Sequence, residues 1–196
     1  MTPLNRRTLL PLLGIGLAVL ALIGALLVQR AGLPGQAAGG IGGPFALVDG
    51  DGRAVTQADF TGGPSLVFFG YTHCPDVCPT TLDAISRTLK ALGPDKPVKA
   101  AFITLDPERD TPAVMKDYLS SFDPRIVGLT GSQAAIDEVA REYRVYAKKV
   151  PTGDGAYSVD HTGVVYLMDR HGRFIESFNP DLENPEAAAA ALSKVL

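Results

Sequence analysis

The sequence predicts an α/β fold, a central sheet flanked by helices with a hairpin at its N-terminal end. Two uninterrupted apolar runs of strand length, "PSLVFFGY" at 64–71 and "VKAAFITL" at 98–105, suit strands buried on both faces. Between and after them lie stretches whose apolar residues recur at three- and four-residue intervals, as on a helix with one buried stripe. Strands alternating with such helices imply a sheet covered on both sides.

The elements follow in order. "FALVDGDGRAVT" (45–56) reads as two short strands around a turn whose glycines supply positive φ. After the 64–71 strand, "TTLDAISRTLKAL" spaces Leu82, Ile85, Leu89 and Leu92 on one face and ends at Gly93-Pro94. In "DTPAVMKDYLSSF", Thr111 is the expected N-cap and Pro112 the first helical residue. "RIVGLTG" is a short strand and "SQAAIDEVAREYRV" a helix. Residues 144–160 read as an irregular excursion. "GVVYLMD" and "RFIESF" form a hairpin around Arg170-His171-Gly172, and "NPEAAAAALSKVL" is a closing helix capped by Asn184.

The 196 residues suffice for one globular domain, and a net charge of −3 offers no basic surface for nucleic acid. Residues 9–28, LLPLLGIGLAVLALIGALLV, are uncharged and long enough to cross a bilayer. Arg6 and Arg7 precede the run, which places residues 1–8 in the cytoplasm and the rest outside. A cleaved signal peptide is the competing reading, but its apolar region is usually shorter. Residues 29–43 are a Gly- and Ala-rich tether, and the folded domain is expected over 44–196. A periplasmic domain on a single-pass inner-membrane anchor is the resulting expectation.

The chemistry centres on "THCPDVCPTT". Cys74 and Cys78 are the only cysteines, and they lie between a buried strand and a helix, where open α/β sheets place ligands. Amide groups at a helix start favour thiolate. Pro75–Cys78 is expected to form a single turn, with the long helix beginning at Pro79. Three readings compete. A structural disulfide would close so short a loop that it stabilises little. A redox disulfide is open to it. A metal clamp is the third, since two thiolates are soft ligands for Cu(I), or for zinc if more ligands exist. Two cysteines and three histidines fall short of the usual zinc or iron–sulfur sets and fit a trigonal copper site better. Of the histidines, His73 should face away from its neighbour Cys74, and His171 sits in a solvated turn. His161 comes just before a strand and can reach both sulfurs, with Asp160 available to orient its ring.

The runs Phe69–Pro79, "TLDPERDTP" (104–112) and Asp160-His161-Thr162 together resemble the Sco/SenC family. The resemblance spans roughly residues 44–193. It implies a thioredoxin-like, membrane-tethered copper protein that helps assemble the copper A centre of cytochrome c oxidase. It also implies copper ligation by Cys74, Cys78 and His161, with the copper-bearing oxidase subunit as partner and another copper chaperone as a further one. The sequence departs from ordinary thioredoxins in its cysteine spacing and in having His161 where they place a proline. Copper delivery is the reading carried forward, as Cu(I) and also Cu(II), without enzymatic chemistry. A thiol–disulfide oxidoreductase using Cys74 and Cys78 is the alternative. A peroxiredoxin-like peroxidase lacks its characteristic Thr and Arg set here. The acids of the 106–112 segment are expected to be structural.

Overall fold

The computed structural model describes residues 40–153, 155–179 and 184–196, all within the unit Ala37–Leu196. The apolar run at 9–28 lies outside the described residues. Among the described residues no helix is long and apolar enough to cross a membrane.

Nine strands and four α-helices are seen among these residues. The strands are β1 (Ala46–Asp49), β2 (Ala54–Thr56), β3 (Ser65–Gly70), β4 (Lys99–Thr104), β5 (Ile126–Thr130), β6 (Ala147–Gly153), β7 (Ala156–His161), β8 (Val165–Met168) and β9 (Phe174–Phe178). The helices are α1 (Val77–Leu92), α2 (Pro112–Leu119), α3 (Gln133–Glu142) and α4 (Pro185–Ser193). A 3₁₀ turn at Gln57–Phe60, not evident in the sequence pattern, buries Phe60.

Seven strands form one sheet in the order β2-β1-β5-β4-β3-β8-β9, and β6 and β7 form a separate pair. The centre is parallel, β3 with β4 and β4 with β5. Both edges are antiparallel hairpins, β1–β2 and β8–β9. Both hairpins read from the sequence are present, one at each edge. Every residue of β3 is buried, because side chains alternate between two covered faces. On one face Phe68 stacks on Phe102 at 5.8 Å, and Phe102 meets Tyr118 of α2 at 6.1 Å. On the other, Phe69 meets Tyr143, directly after α3, at 5.2 Å and Tyr166 at 6.2 Å.

Two expectations need correction. The long helix begins at Val77, not Pro79. Pro79 is its third residue, where the missing N–H is one the first turn leaves unpaired anyway. Residues 147–153 and 156–161 are also not irregular: they form the β6–β7 arm. All but one of the β6 residues are exposed, so no apolar alternation marks it. Where β6 continues through Pro151, the arm's register shifts between Pro151 and Gly153, as suits a proline in an exposed strand.

Candidate metal centre

The cysteine turn is built on the end of β3. Chain reversal begins with the Cys74 N–H bonded to the Tyr71 carbonyl at 3.2 Å. Val77 then opens α1, so Cys78 lies in its first turn. The Cys78 N–H, one of the donors a helix start leaves unpaired, points at Cys74 Sγ at 3.4 Å. Cys78 is buried and Cys74 half-buried, and both are free thiols. Gly70 makes room for this: a Cβ there would lie 2.6 Å from Cys78 Sγ and 2.9 Å from the Phe102 ring.

Asp110 fixes the segment leading to the cysteines. Its buried carboxylate accepts from the Thr72 N–H at 3.0 Å, the Thr72 hydroxyl at 2.6 Å and the Thr104 hydroxyl at 2.6 Å. Thr111 caps α2 as expected, accepting from the Val114 N–H, with Pro112 first in the helix. Asp106 and Asp110 are thus internal supports, as expected of this segment, while Glu108 is exposed and pairs with Lys149 at 2.7 Å.

His161 ends β7 and brings its Nε2 to 3.6 Å from Cys78 Sγ. Its Nδ1 lies 3.0 Å from the Thr162 carbonyl. A carbonyl only accepts, so Nδ1 carries the proton and Nε2 turns a lone pair toward the sulfurs. Tyr71 meets the imidazole edge-on at 5.9 Å. Asp160, which could have oriented the ring or been a solvated acid, is exposed and stands opposite Lys148 in the β6–β7 ladder; the Thr162 carbonyl meets the ring nitrogen instead. The other two histidines stay away from the cysteines. His73 is exposed, 3.1 Å from the Thr72 hydroxyl and 3.8 Å from Asp110, and His171 lies in the exposed β8–β9 turn.

The ligand atoms of Cys74, Cys78 and His161 all lie within 4.8 Å of one another. Thiolate and imidazole ligands stand about 2.0–2.3 Å from an ion, so closing on one needs inward movement of about 1 Å or less. Two soft sulfurs with one imidazole match a first-row ion of copper's character better than a hard, oxygen-seeking cation. Burial pushes the Cys78 thiol far above its usual range, and the neighbouring Cys74 sulfur adds to the shift. A bound cation would reverse this by stabilising the thiolate.

A second cluster joins the arm to the 106–112 segment. The Arg109 guanidinium pairs with Asp106 and lies 3.9 Å over the Tyr157 ring. The Tyr157 hydroxyl donates to the other Asp106 oxygen at 2.8 Å. Gly70, Asp110, Arg109, Tyr157 and the Thr162 carbonyl all shape the site without having been singled out as site residues. The "DPERDTP" run signals Arg109 and Asp110, Gly70 and Thr162 lie in the other two runs, and Tyr157 depends on contacts far away in sequence.

Residues 34–196 match the SCO1/SenC family, and the chain belongs to it. It is similar to Bradyrhizobium japonicum ScoI, whose structure has copper bound. The two are 59% identical, with a TM-score of 0.76, over 80% of this chain and 99% of that one. Schizosaccharomyces pombe Protein sco1 is 42% identical over 155 residues, covering 76% of this chain and 59% of the relative. A third, BsSco, is described as having a disulfide switch and as a member of the Sco family of cytochrome c oxidase assembly proteins. It is 26% identical with a TM-score of 0.61, over 78% of this chain and 91% of that one. The chain spans from 48% to 73% of the length of the first curated relatives it matches.

Proposed function

We propose that this chain is a membrane-tethered copper chaperone that delivers its ion to the copper A centre of cytochrome c oxidase. The observation that carries the reading is the convergence of Cys74 Sγ, Cys78 Sγ and a lone-pair-bearing His161 Nε2 within 4.8 Å. The copper in the similar ScoI structure supports it. Copper is cargo here. Three ligands near the surface leave a position from which an incoming thiolate displaces one ligand at a time, for Cu(I) and also Cu(II). The recipient is the copper-bearing oxidase subunit, and another copper chaperone is the donor. Residues 1–8 lie in the cytoplasm, 9–28 anchor the chain in the inner membrane, and 29–43 tether a thioredoxin-like domain, 44–196, in the periplasm.

The test is copper titration of the full-length protein. One ion per chain is expected, and His161→Ala should weaken binding at least 10-fold. A His161→Ala protein with unchanged affinity and spectrum would sink the assigned site.

One observation favours a second reading, a thiol–disulfide oxidoreductase: two free sulfurs stand close together at a helix start. Cys74, the more exposed, would attack a partner disulfide. Cys78 would then resolve the mixed disulfide, releasing the reduced partner and leaving a Cys74–Cys78 disulfide. The raised pKa of Cys78 opposes this step. Rescue of a Cys78→Ser strain by added reductant rather than by copper would favour the reductase.

A further inference from the structure

We propose that Arg109 is a positioning residue for the third ligand: it holds β7 so that His161 stands opposite the two cysteines. The inference rests on the copper reading of those residues.

β7 pairs with β6 and not with the seven-stranded sheet. Its place relative to Cys74 and Cys78 is therefore set by side-chain contacts, among them Tyr71 on the Val159 backbone, and by its short link to β8, rather than by pairing in the main sheet. Tyr157, Val159 and His161 alternate along β7 and share a face. Val159 is buried in the core. Tyr157 is gripped by Arg109, whose plane lies 3.9 Å over the ring while its Nη1 donates to the Tyr157 carbonyl at 3.3 Å. Asp106 closes the triangle, taking Arg109 on one oxygen and the Tyr157 hydroxyl on the other. Arg109 also reaches the site by a shorter route. Its guanidinium is 5.7 Å from the Tyr71 ring, which meets the His161 imidazole edge-on.

Arg109 Nη2 is buried with no hydrogen-bond partner. The guanidinium carbon stands 3.9 Å from the Tyr157 ring and 5.7 Å from the Tyr71 ring, within the range of cation–π attraction to both. Lysine keeps the ion pair with Asp106 but loses the planar fork and the stack, so Arg109→Lys isolates the positioning role.

The experiment uses the full chain in detergent, as parent, Arg109→Lys, His161→Ala and the double variant, titrated with Cu(I) against a competing chelator. Arg109→Lys should weaken binding about 10-fold, as for other residues that orient a metal ligand. In the His161→Ala background the same change should cost less than about 2-fold, since the residue it positions is gone. In the metal-free proteins, Arg109→Lys should speed hydrogen exchange across Ala156–His161 and leave β3 and β4 unchanged. Tyr157→Phe, which removes the phenol's bonds to Asp106 and Lys149 and leaves the ring under Arg109, should give the same pattern at smaller amplitude if Arg109→Lys folds poorly. Parent-like binding by Arg109→Lys, or an equal loss in both backgrounds, overturns the proposal. If His161→Ala binds copper like the parent, the copper assignment fails by itself. Exchange then still decides whether Arg109 holds β7, and unchanged β7 exchange overturns the inference.

Discussion

Gly70→Ala perturbs the site from beneath with a single carbon. The new Cβ would stand 2.6 Å from Cys78 Sγ and 2.9 Å from the Phe102 ring. Packed heavy atoms sit about 3.5–4.0 Å apart, so the sulfur or the ring must yield by about 1 Å. Neither moves freely, because Cys78 and Phe102 are both 0% exposed. Overpacking of this kind costs about 1–3 kcal/mol. The alanine recovers roughly 0.5–1 kcal/mol by replacing glycine in a strand, leaving a net loss of about 1 kcal/mol at the middle of these ranges. At roughly 2–4 °C per kcal/mol for a domain of this size, the metal-free Tm should fall by about 2–4 °C. Bound ligands keep their distances to the ion within about 0.2 Å, so a sulfur pushed aside must be drawn back on binding, and copper affinity should fall at least 10-fold. Differential scanning calorimetry and chelator competition read the two effects. In a Cys78→Ala background the stability cost should shrink, because the closest contact is gone. A Gly70→Ala protein within 1 °C of the parent and with parental copper affinity would refute the reasoning.

Two further outcomes follow. Asp110→Ala strips the acceptor from the Thr72 N–H and from two hydroxyls. The hydroxyls can turn elsewhere but the amide cannot, so a loss of about 2–4 kcal/mol is expected in urea unfolding, with faster exchange of the Thr72 amide. A loss under about 0.5 kcal/mol would show that the carboxylate is not the anchor. Hydrogen bonds from Arg125, against the opposing pull of burial, hold the Asp123 carboxyl below its usual range. A depressed folded pKa gives stability that is present above the unfolded value of about 3.9 and lost as pH falls through the folded one. Asp123→Asn should therefore cost about 1–2 kcal/mol at pH 7. The gap should hold down to about pH 5 and close below pH 4, and a gap that persists at pH 2 contradicts the assignment.

How much of this was legible in the sequence depends on where each residue's partner lies. β3 and β4 are buried on both faces, so their apolar runs mark them without reference to anything distant. The stripe of α1 is equally local, and Leu82, Ile85 and Leu89 all fall in the core. The arm escapes because all but one of the β6 residues are exposed and leave no apolar period to detect. The start of α1 escapes because a proline is tolerated anywhere in a first turn, and the sequence alone does not separate its first position from its third. The cysteine pair is local and so is legible as a pair. His161 is legible only as a strand end, and the acceptor for its Nδ1 is the next residue's backbone rather than the neighbouring acid. Asp110 shows the same limit: the acid is visible, but Thr72 becomes its donor only once β4 ends beside the cysteine turn.

The unequal support of the three ligands bears on how cargo would leave. Cys74 and Cys78 share one turn, and that turn is tied through Thr72 and Asp110 to the end of β4. His161 stands on a strand outside the main sheet, held by side-chain contacts. Side-chain contacts of this kind open at lower free energy than a central ladder. Under the proposed function the imidazole is therefore the ligand that departs first, leaving the ion on two sulfurs and open to an incoming thiolate. Cys78, buried in the first turn of α1, could depart first only by being uncovered before any new ligand has arrived. Variants that loosen the arm should thus speed copper transfer to a thiol acceptor even as they weaken binding, whereas variants that loosen the cysteine turn should weaken binding without that gain.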